Sequence, residues 1–236
     1  MAVLTAVAHD VARLRGIIIG PGGEQVGPPA AVDAGDDGFR GHAGTVWLVR
    51  VVAGTARGRL LRAPPGRLTR PTSDRVREAM FSMLTSMDAL EGAAVLDLYA
   101  GSGALGIEAL SRGAASAIFV DNDQAAVAAI RANLEVLGRD GVGRASVVRA
   151  DALRYAAGTP PVDLVLVDPP YRFDGWAALL GALTGRTGLL VAETGADWEP
   201  GPGWETVKVK RYGGTVVTVV RPIVRPRSPL HQEGEA

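Results

Sequence analysis

The chain has 236 residues, carries 25 Lys and Arg against 25 Asp and Glu, and contains no cysteine. That length holds one α/β domain of ordinary size with extensions, and the missing cysteine excludes disulfides, thiolate metal sites and cysteine nucleophiles. The three histidines, His9, His42 and His231, all lie in the flanks, which removes serine-hydrolase triads and most zinc enzymes from the expected folded region.

No apolar run approaches the roughly 20 residues that a bilayer span needs. The start, MAVLTAVAHD, lacks the basic stretch of a signal peptide, so the cytoplasm is the expected location. Residues 1–48 are rich in glycine and small residues without a sustained period. They are expected to be disordered and dispensable, with at most a short helix around Asp10–Arg15. A start codon set too early, with translation beginning near Val49, is one account of them; an accessory arm that recruits the substrate particle is the opposing one.

Residues 49–90 read as a hairpin plus a helix. Val46–Ala53 and Arg57–Ala63 have strand character and flank the turn Gly54-Thr55-Ala56. Arg70-Pro71-Thr72-Ser73-Asp74 then opens a helix, in which Val76, Met80, Met83, Leu84 and Met87 recur at helical spacing. Zero net charge argues against a nucleic-acid partner, but the distribution argues for one. Eight arginines fall between Val49 and Met80, at 50, 57, 59, 62, 67, 70, 75 and 77. Phosphate contacts are short range, so local clusters outweigh the sum. Arg57, Arg59, Arg70 and Arg75 are the expected RNA contacts. Lys208, Lys210, Arg211, Arg221, Arg225 and Arg227 form a second basic set. The competing reading of both is solvated surface charge.

From 91 to 224 strands and helices alternate. The expected strands are Ala94–Leu98, Ser116–Val120, Ala145–Arg149, Val162–Val167 and Gly188–Ala192. The expected helices are Ala104–Ser111, Gln124–Leu137, Ala152–Ala157 and Gly175–Leu183. Such alternation implies parallel βαβ units with helices on both faces of the sheet. Thr206–Tyr212 and Thr215–Val220 flank Gly213-Gly214, a two-residue hairpin signal. Residues 225–236 read as a disordered tail.

Two segments carry chemistry. Gly101-Ser102-Gly103-Ala104-Leu105-Gly106 fits G-x-G-x-x-G directly after an apolar strand, the pattern of a turn that lets a nucleoside-bearing cofactor approach the backbone. Asp121, after the next strand, is placed to accept from ribose hydroxyls, and Asp151, after the third, to meet an adenine edge. A dinucleotide oxidoreductase shows the same glycines and the same acidic spacing. Asp97 separates the two readings. A carboxylate beside the loop suits the ammonium and sulfonium of S-adenosylmethionine and would repel a diphosphate. Tyr99, Ser102, Asn122, Ala152 and Thr72 complete the expected cofactor-binding set.

The second segment is the apolar strand ending in Asp168-Pro169-Pro170-Tyr171. An exocyclic base amine is a weak nucleophile, because its lone pair is delocalised into the ring. Asp168 and the Pro169 carbonyl can each accept one amine N–H and turn the lone pair outward. Consecutive prolines stiffen the loop and supply no competing donor. Tyr171 can stack on a base that is unpaired or flipped out. The competing reading is a proline turn closing a strand.

Together these features give the expected fold class: α/β, a Rossmann-like class I methyltransferase. Its mostly parallel seven-stranded sheet would end in an antiparallel hairpin and follow a small N-terminal β-hairpin and helix. From Val49 to Pro222, about three-quarters of the chain, the sequence resembles the bacterial small-subunit ribosomal RNA guanine-N2 methyltransferases called RsmD. The matching pieces are Arg50–Gly54, Arg57–Arg59, Arg70–Glu78, Ala100–Gly113, Asp168–Tyr171 and Gly213–Thr215. The Arg-Pro-Thr segment is the most specific of these. Residues 1–48 depart from the family pattern. The resemblance implies methylation of guanine N2 in 16S RNA, at guanine 966, with S-adenosylmethionine as donor. It also implies 16S ribosomal RNA as partner, free or within a 30S assembly intermediate. A monomer without metal or membrane contact is expected. An adenine-N6 DNA methyltransferase, a nicotinamide-dependent oxidoreductase and a non-catalytic RNA-binding module are the alternatives. Against the first, only Arg172–Thr187 separates Tyr171 from the fifth strand, too little for a separate target-recognition region.

Overall fold

The computed structural model describes residues 18–19, 25–26, 48–64, 74–137, 143–170 and 172–223. The chain divides into two units, Met1–Gly44 and Thr45–Ala236. In the first unit, β1 (Ile18–Ile19) and β2 (Gln25–Val26) pair antiparallel, Ile18 opposite Val26. The helix expected around Asp10–Arg15 lies outside the described residues, as does the tail 225–236. Among the described residues no helix is long and apolar enough to cross a membrane.

The second unit begins with a small antiparallel hairpin, β3 (Leu48–Arg50) and β4 (Leu60–Arg62), with Val49 opposite Leu61. Both strands are shorter than their β-rich sequence suggests. The Val51 N–H donates to the Arg59 carbonyl and the Gly58 N–H to the Val51 carbonyl, closing a loop over 51–59. The amides of Val52 and Ala53 go to the side chain of Glu108 instead of to a neighbouring strand. Helix α1 (Asp74–Ser86) follows, with Asp74 in its first turn, where a negative charge suits the helix dipole. The expected face is the buried one: Val76, Met80, Met83 and Leu84 pack inward with Phe81.

The remaining elements are β5 (Ala94–Leu98), α2 (Ala104–Ser111), β6 (Ser116–Asp121), α3 (Gln124–Leu137), β7 (Arg144–Arg149), α4 (Ala152–Gly158), β8 (Val162–Val167), α5 (Trp176–Leu183), β9 (Thr187–Thr194), β10 (Trp204–Tyr212) and β11 (Thr215–Pro222). The seven-stranded sheet has the order β10-β11-β9-β8-β5-β6-β7. It is parallel from β9 to β7 and antiparallel through β11 and β10. Parallel strands covered on both faces must be apolar throughout, and β5 and β8 are nearly so.

Alternate residues feed two cores. Val95, Leu164, Leu166, Val191 and Val217 meet α1 and α2 on one face. Leu96, Leu98, Val165, Val167 and Leu190 meet α4 and α5 on the other. Helix α2 is buried along almost its whole length. It lies so close to the sheet that a Cβ on Gly106 would sit 2.3 Å from the Phe119 ring.

The chain runs outward from β5 through β6 to β7, then crosses back to β8 on the other flank of β5. Strand order therefore reverses between β5 and β8. The carboxyl ends of strands at such a reversal open a crevice where ligands of α/β sheets bind.

Candidate active site

The loop leaving β5 fills one side of that crevice. Tyr99 has φ 61°, Gly101 57° and Gly103 77°. The left-handed region is free for glycine but costs a tyrosine of order 1–3 kcal/mol, so the surroundings must hold the loop. Asp121 does so from the end of β6, accepting from the Gly101 N–H at 2.9 Å and the Asp123 N–H at 2.9 Å. Asn133 of α3 donates to the carbonyls of Ser102 (2.8 Å) and Arg62 (3.0 Å), and accepts from the Arg62 N–H. One side chain thus ties the glycine loop to β4.

Asp97 points from β5 toward the start of α2 and accepts from the Gly106 N–H at 2.9 Å. It is 1% exposed. Burial pushes its carboxyl up to about 7, with Asp121's charge adding to the rise and the Gly106 hydrogen bond opposing it. Burial, and then the charge of Asp151, pushes the Tyr99 hydroxyl up to about 12.

Beside the loop opens a cavity of about 730 Å³, within the usual range for small-molecule sites. Asp97, Tyr99, Gly101 and Ser102 line it together with Asp168, Pro169 and Pro170. The two sequence motifs therefore share one chamber. Its far wall comes from the end of β9, including Glu193, and from the β10–β11 turn at Tyr212–Thr215. An aromatic series borders it: Tyr99 edge-on to Phe173, Phe173 edge-on to Trp176, and Trp176 stacked on Trp198 at 4.2 Å between centroids. The cavity's charged lining residues are Asp97, Asp168, Glu193 and Asp197, with Arg77.

The remaining expected cofactor residues stand apart from this chamber. Gly103 packs under the loop against Ile130. Asp121 is buried behind it, and Asn122 is exposed. Asp151 caps α4 by accepting from the Arg154 N–H at 2.9 Å, and Ala152 is buried as that helix begins. Thr72, Arg70 and Tyr171 lie outside the described residues.

Of the described arginines expected to contact RNA, Arg57, Arg59 and Arg75 are all exposed. Arg77, which the sequence groups with them, is instead 1% exposed. It donates to the Arg50 carbonyl and to Asp74 at 2.8 Å. In the second basic set, Arg211 pairs with Asp197 and Arg221 with Glu205. Lys208 and Lys210 are exposed, and Arg225 and Arg227 lie outside the described residues.

Sequence reasoning passed over Glu108, which is fully buried on α2. Its carboxylate accepts from the Val52 N–H at 2.7 Å and the Ala53 N–H at 3.0 Å. It also pairs with Arg112 at 2.7 Å, with the Arg77 Nε 3.9 Å away. This one residue fastens the N-terminal loop and α1 to the helix that follows the glycine loop. A charged residue at an otherwise apolar position of a buried helix is the signal that could have revealed it.

The cavity's chemistry fits S-adenosylmethionine. Gly101 and Ser102 present backbone at its edge, and its acidic lining suits a cationic ligand better than a diphosphate. Among the described residues no cluster of His, Asp and Glu could hold a metal ion. A Rossmann-like sheet with these two loops converging at its strand reversal defines a class I methyltransferase.

Comparison with known proteins narrows the class. The family model described as "Conserved hypothetical protein 95" matches residues 49–221. A Bacillus subtilis (strain 168) protein, named provisionally as an rRNA methyltransferase, is 40% identical over 154 residues, covering 61% of this chain and 82% of that protein. The Escherichia coli (strain K12) ribosomal RNA small subunit methyltransferase D is 44% identical over 133 residues, covering 56% of this chain and 64% of its own length. A solved Escherichia coli structure, described provisionally as a methyltransferase, superposes with a TM-score of 0.64 at 32% identity, covering 75% of this chain and 98% of that one. The chain belongs to this family, the RsmD family of methyltransferases.

Proposed function

We propose that this protein transfers a methyl group from S-adenosylmethionine to the exocyclic N2 amine of a guanine in 16S ribosomal RNA, guanine 966 by family resemblance. The observation that carries this reading is that Asp168-Pro169-Pro170 and Gly101-Ser102 line one and the same cavity. S-adenosylmethionine supplies an electrophilic methyl on a sulfonium.

The protein's part is to orient and activate the amine. The Asp168 carboxylate and the Pro169 carbonyl each accept one N–H of the amine, which directs its lone pair toward the glycine-loop side. Asp168 needs no raised pKa for this, because the proton leaves once nitrogen has gained its fourth bond. The aromatic series keeps water from the reacting edge. Such a slot admits only an unpaired or flipped base. Arg57, Arg59 and Arg75, together with Arg70, hold the phosphates of the flanking RNA. The protein acts as a monomer on free 16S RNA or on a 30S assembly intermediate.

The test is to incubate the full-length protein and S-adenosylmethionine with purified 16S RNA and with 30S particles, then digest to nucleosides for mass spectrometry. N2-methylguanosine at a single mapped position is expected. N6-methyladenosine, or no methylated nucleoside, refutes the reading.

A further inference from the structure

Glu193 is the penultimate residue of β9, in register with the start of the catalytic loop. β8 and β9 pair parallel with Val167 opposite Ala192, so Asp168 and Glu193 are the next residues of adjacent strands, roughly 4.8 Å apart across the sheet. Strand alternation sets their direction. Leu166 and Val191 feed the core under α1 and α2, whereas Val167 and Ala192 feed the opposite one. The residues two beyond Leu166 and Val191 are Asp168 and Glu193, so both emerge on the α1–α2 face. Both line the cavity. Glu193 is only 9% exposed.

Two carboxylates side by side match a particular nucleobase edge. Guanine presents N1–H and the N2 amine as adjacent donors on its Watson–Crick edge. Adenine presents a bare N1 lone pair there, and cytosine and uracil lack this pair of donors next to an exocyclic amine. Resting on the guanine-N2 reading above, we infer that Glu193 is the specificity-determining residue of the site. Its carboxylate accepts the N1–H of the target guanine while Asp168 and the Pro169 carbonyl hold the N2 amine. An adenine in the same slot would set its N1 lone pair against the Glu193 carboxylate. The glycine loop and the proline loop would thus provide methyl transfer in general, and Glu193 the choice of base.

The test compares RNA carrying guanine at the mapped position with the same RNA carrying 2-aminopurine, which keeps the 2-amine but has no N1–H. A charge-assisted hydrogen bond made to one base and lost with the other is worth about 10- to 100-fold in kcat/KM. Wild-type protein should favour guanine by at least that factor. In Glu193→Gln the amide can donate to the bare N1, so the guanine to 2-aminopurine ratio should collapse toward one. A merely structural Glu193 would lower both rates together and leave the ratio intact, which overturns the inference. So does a wild-type protein that methylates the two RNAs equally well, a measurement that needs no variant to fold. If the wild type methylates no guanine N2 at all, the functional reading itself falls. If it does so while the ratio ignores Glu193, only the inference falls.

Discussion

Replacing Glu108, on the buried helix α2, by glutamine should destabilise the protein strongly. The carboxylate is fully buried and accepts from two backbone amides and from Arg112, with Arg77 close by. Glutamine keeps the shape but turns one oxygen into an N–H donor that must face another donor. At least one of the Val52, Ala53 and Arg112 hydrogen bonds is then lost, and Arg112 loses its compensating charge while Arg77 keeps Asp74. Breaking a buried ion pair on one side costs about 3–5 kcal/mol. Arg112 retains 12% side-chain exposure and can turn toward water, which favours the lower end, about 3 kcal/mol. With a urea m-value of about 2 kcal/mol/M, the midpoint should fall by about 1.5 M. The melting temperature should fall by about 6–12 °C. Equilibrium urea unfolding followed by far-UV circular dichroism measures the first directly. Arg112→Ala, which removes only the partly exposed partner, should cost less. A midpoint shift below about 0.3 M for Glu108→Gln, or a larger one for Arg112→Ala, would show that this network does not hold the N-terminal segment to α2.

Asp168→Ala should bind S-adenosylmethionine normally in calorimetry yet lose about 10²–10⁴-fold in turnover; a variant keeping more than half its rate would end the amine-grip role. Asp121→Ala orphans the amides of Gly101 and Asp123 and should weaken cofactor binding by about 1–3 kcal/mol; an unchanged titration curve would contradict it. Asp97 titrates near 7 in the fold against an ordinary 3.8, so between those values the folded chain holds a proton that the unfolded chain has released. This group therefore subtracts stability as pH rises, by up to about 1.4 kcal/mol per pH unit. The stability advantage of Asp97→Asn should widen from about pH 4 to about pH 7 and then level off; urea midpoints showing a constant gap would argue against a protonated Asp97. Alanine pairs among Arg57, Arg59, Arg70 and Arg75 should lower the log–log salt slope of RNA binding by about 0.7–0.9 per lost contact; slopes equal to wild type would remove these residues from the phosphate interface.

The methyltransferase sheet was legible because its signals are local. An apolar run of strand length, a glycine turn and a helical period lie within a few residues of one another, so β5 and β8 fall where the pattern puts them and the other sheet strands differ by a residue or two. The glycine and Asp-Pro-Pro loops were legible for the same reason, since each follows a strand that can be read. What stayed hidden depends on partners far along the chain. Glu108 and Val52 are 56 residues apart and Asn133 and Arg62 are 71 apart; no window of sequence joins them. The same contacts explain the shortened N-terminal strands: β propensity around Val51–Ala53 is overridden when the amides of Val52 and Ala53 find a buried carboxylate. Arg77 read as one more surface cation because a partner that holds it inside, the Arg50 carbonyl, lies 27 residues away in the chain. Glu193 gave no motif at all. Its place becomes visible only when the β8–β9 register sets it beside Asp168.

The cavity is not anchored evenly. Its floor, the glycine loop and Asp168, rises from β5 and β8, the innermost neighbours of the sheet, while its outer wall at Tyr212–Thr215 rides on the β10–β11 hairpin, in which β10 has β11 as its only strand neighbour among the described residues. A hairpin held along one side opens locally at less free-energy cost than strands bonded on both. Amide exchange should accordingly run faster in β10 than in β5 or β8. That wall then has an opening equilibrium of its own, and a bulky substrate can widen the cavity there while the surface that holds the methyl donor keeps its shape.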